Sequence, residues 1–345
     1  MPQLPTPVRV YTGLSGNKRF ITSYETAPPL ERISLPMGWW APLSRRRTLP
    51  LRLHFTSFLR CAPLLLLLAP AAFAHATAAS SPPSSPAFTS VPELQAGFDL
   101  LYEQKFSEAR ESFANWESGH PDEPFGETAI AASYLFEELY RQNVLTSEFF
   151  LDEKRFLKGI DGPPDAERMK HFREAVARTR QLAGSRQKTN PNDGEALFAL
   201  TLTAGMESDA STILEKKHLE GLKRMKEANK YGKQLLAQYP DANDAYVALG
   251  IANYVIGSLN GGARFALWFD GVHGDKKLGM EQVSKTSENG RYLQPFAKIM
   301  LALAARREKQ PALATKLLRE LKEQYPASAL FASEYAKAAA VRSGD

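Results

Sequence analysis

From Val91 to the end of the chain, apolar residues recur at spacings of three and four positions and rarely alternate with polar ones. This period places them along one face of an α-helix, so the pattern predicts helices almost throughout and an all-α fold. Prolines interrupt the pattern in a recurring setting, because each is followed by a residue that can cap the next helix. The interruptions predict short turns at residues 120–122, 190–193, 239–241 and 325–328.

Two of the helical segments share a pattern of six positions. In the first segment these are Gly97, Leu100, Ala109, Phe113, Trp116 and Pro121, and in the last Ala302, Ala305, Ala314, Leu318, Leu321 and Pro326. The gaps between successive positions are 3, 9, 4, 3 and 5 residues in both segments. We expect the small residues to let paired helices approach closely, and the large apolar residues to fill the space between them.

This arrangement resembles the tetratricopeptide repeat (TPR) family, whose units are helix-turn-helix pairs of about 34 residues. The resemblance covers most of residues 91–341 and implies a right-handed α-solenoid of about four helix-turn-helix pairs, with extra helices after the first pair. The turn prolines are separated by 70, 49 and 86 residues, which are not multiples of the family's repeat length. Insertions or lengthened helices therefore interrupt the predicted array.

A TPR-like solenoid binds partners along a concave surface formed mostly by the first helix of each pair. The residues that the resemblance places there are mainly apolar, which predicts a groove for an apolar or helical peptide: Phe98, Tyr102, Phe198, Leu202, Met206, Val247, Ile251, Tyr254, Arg306 and Arg307. The family's clamp for peptide C-termini uses several Lys, Arg and Asn residues on this surface. This sequence lacks most of them, so it departs from that mode of binding.

Two insertions are further candidates for a functional site. Residues 143–165 contain three phenylalanines, and residues 257–275 contain five glycines around the sequence Arg-Phe-Ala-Leu-Trp-Phe. The candidate binding residues of the second insertion are Arg264, Phe265, Trp268 and Phe269. If exposed, this segment would be a partner site or a membrane-surface wedge; if buried, it would be a plug against the solenoid. The aggregation risk of an exposed segment favours the plug.

Residues 1–76 are predicted to be a leader, disordered at its start, with the layout of a secretory signal peptide from about residue 45 to 76. Arginines precede an apolar run at 61–74 that ends in small residues, and this run is shorter than the ~20 residues of a spanning helix. We therefore predict export to the bacterial periplasm or cell envelope; anchoring through an uncleaved 61–76 segment is the alternative. A Ser/Pro/Ala-rich linker, residues 77–90, precedes the TPR-like domain, residues 91–345.

The charges of the chain are unevenly distributed. Nine of the 43 basic residues and two of the 38 acidic residues lie in residues 1–76, which leaves 34 basic and 36 acidic residues in the rest. The resulting net charge of −2 argues against a nucleic-acid partner, because such partners select a basic domain or stripe. A basic run at 215–230 is interpreted as the solvated face of a long amphipathic helix, with a stripe for an acidic partner as the alternative.

The sequence after the leader contains no recognisable catalytic or metal-binding motif. The one cysteine, Cys61, lies in the leader. Four histidines follow the leader, and no two of them stand within four positions of each other. Phosphate-binding loops and the turn that exposes a serine nucleophile are missing as well. We therefore predict a protein without a cofactor, a metal or enzymatic activity.

The sequence as a whole favours a non-catalytic scaffold that binds other proteins or peptides in the cell envelope. The alternative is a small-molecule or lipid-binding protein whose pocket is lined by the aromatic insertions at 143–165 and 257–275. Membrane contact is predicted only through the leader or residues 264–269. A scaffold would present an open groove, whereas a ligand-binding protein would enclose an apolar cavity of ~300–1,000 Å³.

Overall fold

The computed structural model describes residues 91–259 and 273–342, and the regular structure in that part of the chain is entirely helical. The predicted all-α fold is confirmed for these residues. The leader at 1–76, the linker at 77–90 and the four candidate residues at 264–269 lie outside the described residues.

Six α-helices precede residue 190: α1 (Pro92–Tyr102), α2 (Phe106–Gly119), α3 (Pro124–Arg141), α4 (Ser147–Leu151), α5 (Glu153–Lys158) and α6 (Ala166–Thr189). After them come α7 (Gly194–Asp209), α8 (His218–Gln238), α9 (Tyr246–Ser258), α10 (Lys276–Asn289), α11 (Gln294–Arg307), α12 (Pro311–Gln324) and α13 (Ala329–Arg342). A π-helical turn, Ala210–Leu214, extends α7, and a short 3₁₀ helix, Asn243–Ala245, precedes α9.

Most of the long helices pack in pairs that follow one another along the chain. α1 packs on α2, α3 on α6, α7 on α8, α9 on α10, and α11 on α12, which α13 then covers. Each pair also contacts the next, through α2 with α3, α6 with α7, α8 with α9, and α10 with α11. The short helices α4 and α5 are therefore an insertion between the two members of one pair.

The helices end where the prolines predict turns. α2, α6, α8 and α12 end at residues 119, 189, 238 and 324. Two of the expected caps are present, because Asp193 accepts a hydrogen bond from the backbone N–H of Ala196 at 2.8 Å and Ser328 accepts one from that of Phe331 at 3.3 Å. Helix α3 begins differently, since its first residue is Pro124 and the residue before it provides no side-chain cap.

The small residues of the shared six-position pattern lie where helices touch. A methyl group added at Gly97 would stand 2.3 Å from Cε1 of Phe113, so α1 and α2 are as close as a glycine permits. In the last segment Ala302 and Ala314 are each 1% exposed at the contact of α11 with α12. The expectation that small residues permit close pairing is confirmed at these positions.

The first helix of the described chain packs against the turns that precede two of the last helices. The hydroxyl of Tyr102 donates a hydrogen bond of 2.8 Å to the carbonyl oxygen of Tyr292, just before α11. The rings of Phe98 and Tyr292 lie 5.2 Å apart, and Tyr102 packs on Tyr325 at 5.6 Å between ring centroids. One apolar core therefore runs from α1 to α13.

Candidate functional site

Four residues of the predicted concave groove lie in the core instead. Phe98, Tyr102, Phe198 and Val247 are at most 3% exposed. Phe125 connects two of them, since its ring lies 6.0 Å from that of Phe98 and 5.2 Å from that of Phe198. Because the helices meet on this side, side chains expected to line an open groove fill the space between helices. The described structure therefore places these four side chains in the core and not on an open groove.

The next predicted groove residues are partly buried and do not form one site. Met206 packs against a second, smaller apolar core, whereas Leu202 and Ile251 pack against the main one. Tyr254 donates a hydrogen bond of 3.1 Å to Oε1 of Glu308. Burial and the neighbouring carboxylate raise the pKa of Tyr254 to about 12, so its hydroxyl remains a donor at neutral pH. The structure gives these residues packing contacts with different parts of the fold.

The first insertion, residues 143–165, folds into α4 and α5 and closes the second apolar core. Phe149 is 1% exposed, and its ring lies 5.3 Å from that of Phe150 and 6.1 Å from that of Phe156. The three aromatic rings pack with side chains of α3, α6 and the π-helical turn. They therefore stabilise the insertion by packing against the second core.

The insertion is attached to the π-helical turn through its backbone. The N–H of Ile160 donates a hydrogen bond of 3.3 Å to the carbonyl oxygen of Ile213. Gly159 adopts a φ of 70°, and a Cβ there would lie 2.5 Å from the same oxygen. A glycine is therefore needed both for the backbone conformation and for the close approach.

A second attachment joins the insertion to the C-terminal helix α13. The backbone N–H of Ser147 donates a hydrogen bond of 3.1 Å to Oε2 of Glu334, which is 6% exposed. The Lys337 ammonium group lies 2.8 Å from Glu334 and 2.9 Å from Glu148, so one cation is shared by two carboxylates. The hydrogen bond from Lys337 holds the pKa of Glu148 below its usual value.

A crevice opens between this insertion and helices α11 and α13. Its volume is about 580 Å³, and it is lined by Ser147, Glu148, Leu151, Asp152, Arg155, Arg306 and Lys337. An apolar slot of about 20 Å³ lies beside it, between α11, α12, α13 and the start of α4, and it shares Ser147 and Arg306 with the crevice. We call the larger space the α4–α13 crevice.

Arg306 is the predicted binding residue that the structure places at this crevice. Its Nη1 atom is buried and has no hydrogen-bond acceptor among the described residues. A buried donor left unpaired costs about 1–3 kcal/mol, and more when it is charged. Arg306 also helps to lower the pKa of Glu148 through the attraction between their charges. Five of the other lining residues belong to the insertion at 143–165, which the sequence indicated as a candidate site, whereas Lys337 was not identified from the sequence.

One arginine of the basic run at 215–230 forms ion pairs with acidic residues of the same run. Helix α8 begins only at His218, and Arg224 lies 2.9 Å from Glu220 and 3.0 Å from Glu227. Arg180 of α6 joins the same network through Glu207 and Glu227. The exposed lysines of the run remain on the surface, as the solvated-face interpretation expects.

Asp209, at the end of α7, is another acid with a shifted pKa. The surrounding protein raises the pKa of its carboxyl group, because burial penalises the charged form. Its side chain nevertheless reaches solvent, so water screens much of this effect. Among the described residues, no second titratable group is paired with it. Asp209 therefore does not form an acid–base pair there.

In the part of the chain that the structure covers, no three His, Cys, Asp or Glu side chains stand close enough together to hold a metal ion. None of the described helices combines the length and the apolar composition needed to cross a bilayer. No protein-family model matches this sequence, and no curated protein matches it. The α4–α13 crevice is the feature of the described fold on which a functional proposal can rest.

Proposed function

We propose that this protein is a non-catalytic scaffold that binds another protein at the α4–α13 crevice. The observation that carries the proposal is Arg306, whose Nη1 atom is buried without an acceptor next to an open space of about 580 Å³. A partner that offers a hydrogen-bond acceptor would offset the cost of that unpaired donor once the Arg306 side chain turns towards the crevice. The crevice is fixed on one side by α4 and on the other by α11 and α13, so it is largely formed before the partner arrives.

The repeat architecture that we propose for this scaffold is a right-handed, TPR-like α-solenoid. Its support is the shared six-position pattern together with the succession of packed helix pairs. In such an array each pair contacts mainly its neighbours. Here α1 also contacts the turns before α11 and α13, and this contact would stabilise the two ends of the array against each other.

The place of action that we propose is the bacterial periplasm or cell envelope. The support lies in the sequence, where arginines, a short apolar run and small residues follow one another between about 45 and 76. Amino-terminal sequencing of the mature protein tests this directly. A new terminus shortly after residue 74 is expected, whereas an intact Met1 would contradict export.

Affinity purification from the envelope fraction tests the scaffold proposal. We expect a reproducible protein partner with the wild-type chain and its loss with Arg306→Glu. Arg319→Glu is the matched control, because Arg319 is an exposed arginine of α12 that does not line the crevice. A partner that is retained by Arg306→Glu as well as by the control would place binding elsewhere.

A small-molecule binder is the second candidate, because the volume of the crevice falls within the ~300–1,000 Å³ range of ligand pockets. Such pockets are mostly apolar and enclosed, whereas this crevice is open and bordered by five charged side chains. Mass spectrometry of material extracted from the purified protein separates the two candidates. A metabolite or lipid in stoichiometric amount, without a protein partner, would favour the second.

A further inference from the structure

The cations that line the α4–α13 crevice differ in how well they are paired. Lys337 is neutralised by Glu148 and Glu334, which both lie within 2.9 Å of its ammonium group. Asp152 accepts hydrogen bonds from the backbone N–H groups of Lys154 and Arg155, so its carboxylate is used to cap α5. Asp152 keeps its negative charge, so three cations and two carboxylates line the crevice, and Lys337 is the cation among them that makes an ion pair in the described structure.

The other two cations, Arg155 and Arg306, make no ion pair with a carboxylate among the described residues. Arg306 has the buried, unpaired Nη1 atom, and Arg155 makes no ion pair there, with its guanidinium group 5.8 Å from the ring centre of Phe149. A guanidinium group offers five N–H donors in a planar fork that matches a carboxylate or a phosphate. The crevice thus offers an anionic group two guanidinium groups that make no ion pair, although Glu148 and Asp152 also line it.

The charge around the crevice decides which kind of anion fits. Residues 77–345 hold 34 basic and 36 acidic residues, and Glu148 and Asp152 stand at the crevice itself. A polyanion such as a nucleic acid would be repelled by these carboxylates, because binding it requires a basic stripe. A single carboxylate would bring far less negative charge against this acidic rim.

The neighbouring apolar slot limits where the rest of a ligand can go. Its volume of about 20 Å³ has room for roughly one water molecule and not for an apolar side chain. Apolar groups next to the carboxylate must therefore stay in the open crevice, where Leu151 offers a partly exposed contact. This favours an extended peptide over a long hydrocarbon chain.

We propose that the crevice recognises an acidic side chain in a peptide segment of a partner protein, with the carboxylate accepting hydrogen bonds from Arg306 and Arg155. The residue next to the acid in that segment would pack on Leu151. This inference rests on the proposed scaffold function and names the chemistry of the partner. Lys337 stabilises the crevice wall and is not expected to contact the partner directly.

The test uses the purified full chain and two fluorescein-labelled pentapeptides, Ala-Leu-Glu-Leu-Ala and its Gln counterpart, measured by fluorescence anisotropy. The glutamate peptide should bind at least about tenfold more tightly than the glutamine peptide, as expected for a charge-assisted hydrogen bond. Arg306→Gln should remove that preference, and Arg319→Gln should keep it. Arg306→Lys retains the positive charge but loses the planar set of guanidinium donors. Its preference for the glutamate peptide should therefore lie between those of the wild type and Arg306→Gln.

Three outcomes would overturn the acidic-segment proposal. The first is that the wild-type chain binds the two peptides with equal affinity. The second is that Arg306→Gln and Arg319→Gln prefer the glutamate peptide to the same extent. The third is that inorganic phosphate displaces the labelled glutamate peptide more strongly than the unlabelled glutamate peptide does. Far-ultraviolet circular dichroism establishes that each variant is folded, and Arg155→Gln provides a second variant if Arg306→Gln does not fold. If the peptide test fails but affinity purification still captures a protein partner, the scaffold function stands. Only the proposal that the partner presents an acidic side chain is then removed.

Discussion

The hydroxyl group of Tyr325 donates a hydrogen bond of 2.9 Å to Oδ1 of Asp99, although 226 residues separate the two in the chain. Tyr325 is 3% exposed and stands in the turn between α12 and α13, while Asp99 belongs to α1. Burial and the Asp99 carboxylate raise the pKa of Tyr325 well above its usual range, so the donor stays protonated. The contact therefore joins the first described helix to the end of the repeat array.

Replacing Tyr325 by Phe removes this hydrogen bond and also the hydrogen bond of 3.2 Å that its hydroxyl accepts from Nε2 of Gln324. A hydrogen bond to a charged group contributes about 1.5–3 kcal/mol, so we expect the free energy of unfolding to fall by about that amount. Urea denaturation followed by circular dichroism measures the change. Tyr335→Phe is the control, because Tyr335 is partly buried on α13 and its hydroxyl makes no hydrogen bond within the described fold. Equal losses in the two variants would contradict the stabilising role of the Tyr325–Asp99 contact.

Replacing Gly159 by Ala should loosen the insertion from the π-helical turn. The φ of 70° at Gly159 is unfavourable for alanine, and the new Cβ would stand 2.5 Å from the carbonyl oxygen of Ile213. We expect a loss of about 1–3 kcal/mol in the free energy of unfolding. Gly162→Ala, in the same loop, is the matched control, because no atom lies within 4 Å of a Cβ added there. A loss in the control as large as that in Gly159→Ala would contradict this account.

The contact between Glu148 and Lys337 should make stability depend on pH on the acid side. Because the folded chain holds the pKa of Glu148 below its usual 4.5, the unfolded chain takes up the proton first as the pH falls. The stabilisation is therefore complete above about pH 5 and is lost as the pH falls through the lowered pKa. The difference in urea midpoint between the wild type and Glu148→Gln should be largest near pH 6 and shrink towards pH 3. A difference that does not change with pH would contradict the ion pair.

The sequence predicts some contacts of the fold well and others poorly, for identifiable reasons. The pairing of Gly97 with Phe113 follows from local spacing, because both residues belong to one helix-turn-helix unit. The burial of Phe98 and Phe198 does not follow from it, since helical spacing shows which residues share a face but not what covers that face. A groove was predicted where adjacent helices in fact fill the space.

Local sequence spacing is equally limited in what it reveals about the candidate site. Arg306 was identified because its position in the array suggested a binding surface. Ser147 and Lys337 lie 159 and 31 positions away from it, and nothing in their local sequence indicates that they meet at one crevice. The three phenylalanines of the first insertion signalled an aromatic pocket, but they pack into the second core. Long-range packing decided both outcomes.

Photo-crosslinking in intact cells tests most directly whether a partner protein occupies the α4–α13 crevice. A photoreactive phenylalanine analogue is placed at Leu151, which lines the crevice, or at Lys188, an exposed residue of α6 that does not. We predict a discrete crosslinked protein from position 151 alone, which disappears when Arg306→Glu is added and persists with Arg319→Glu. No product from position 151, the same product from position 188, or a product that survives Arg306→Glu would contradict the proposal.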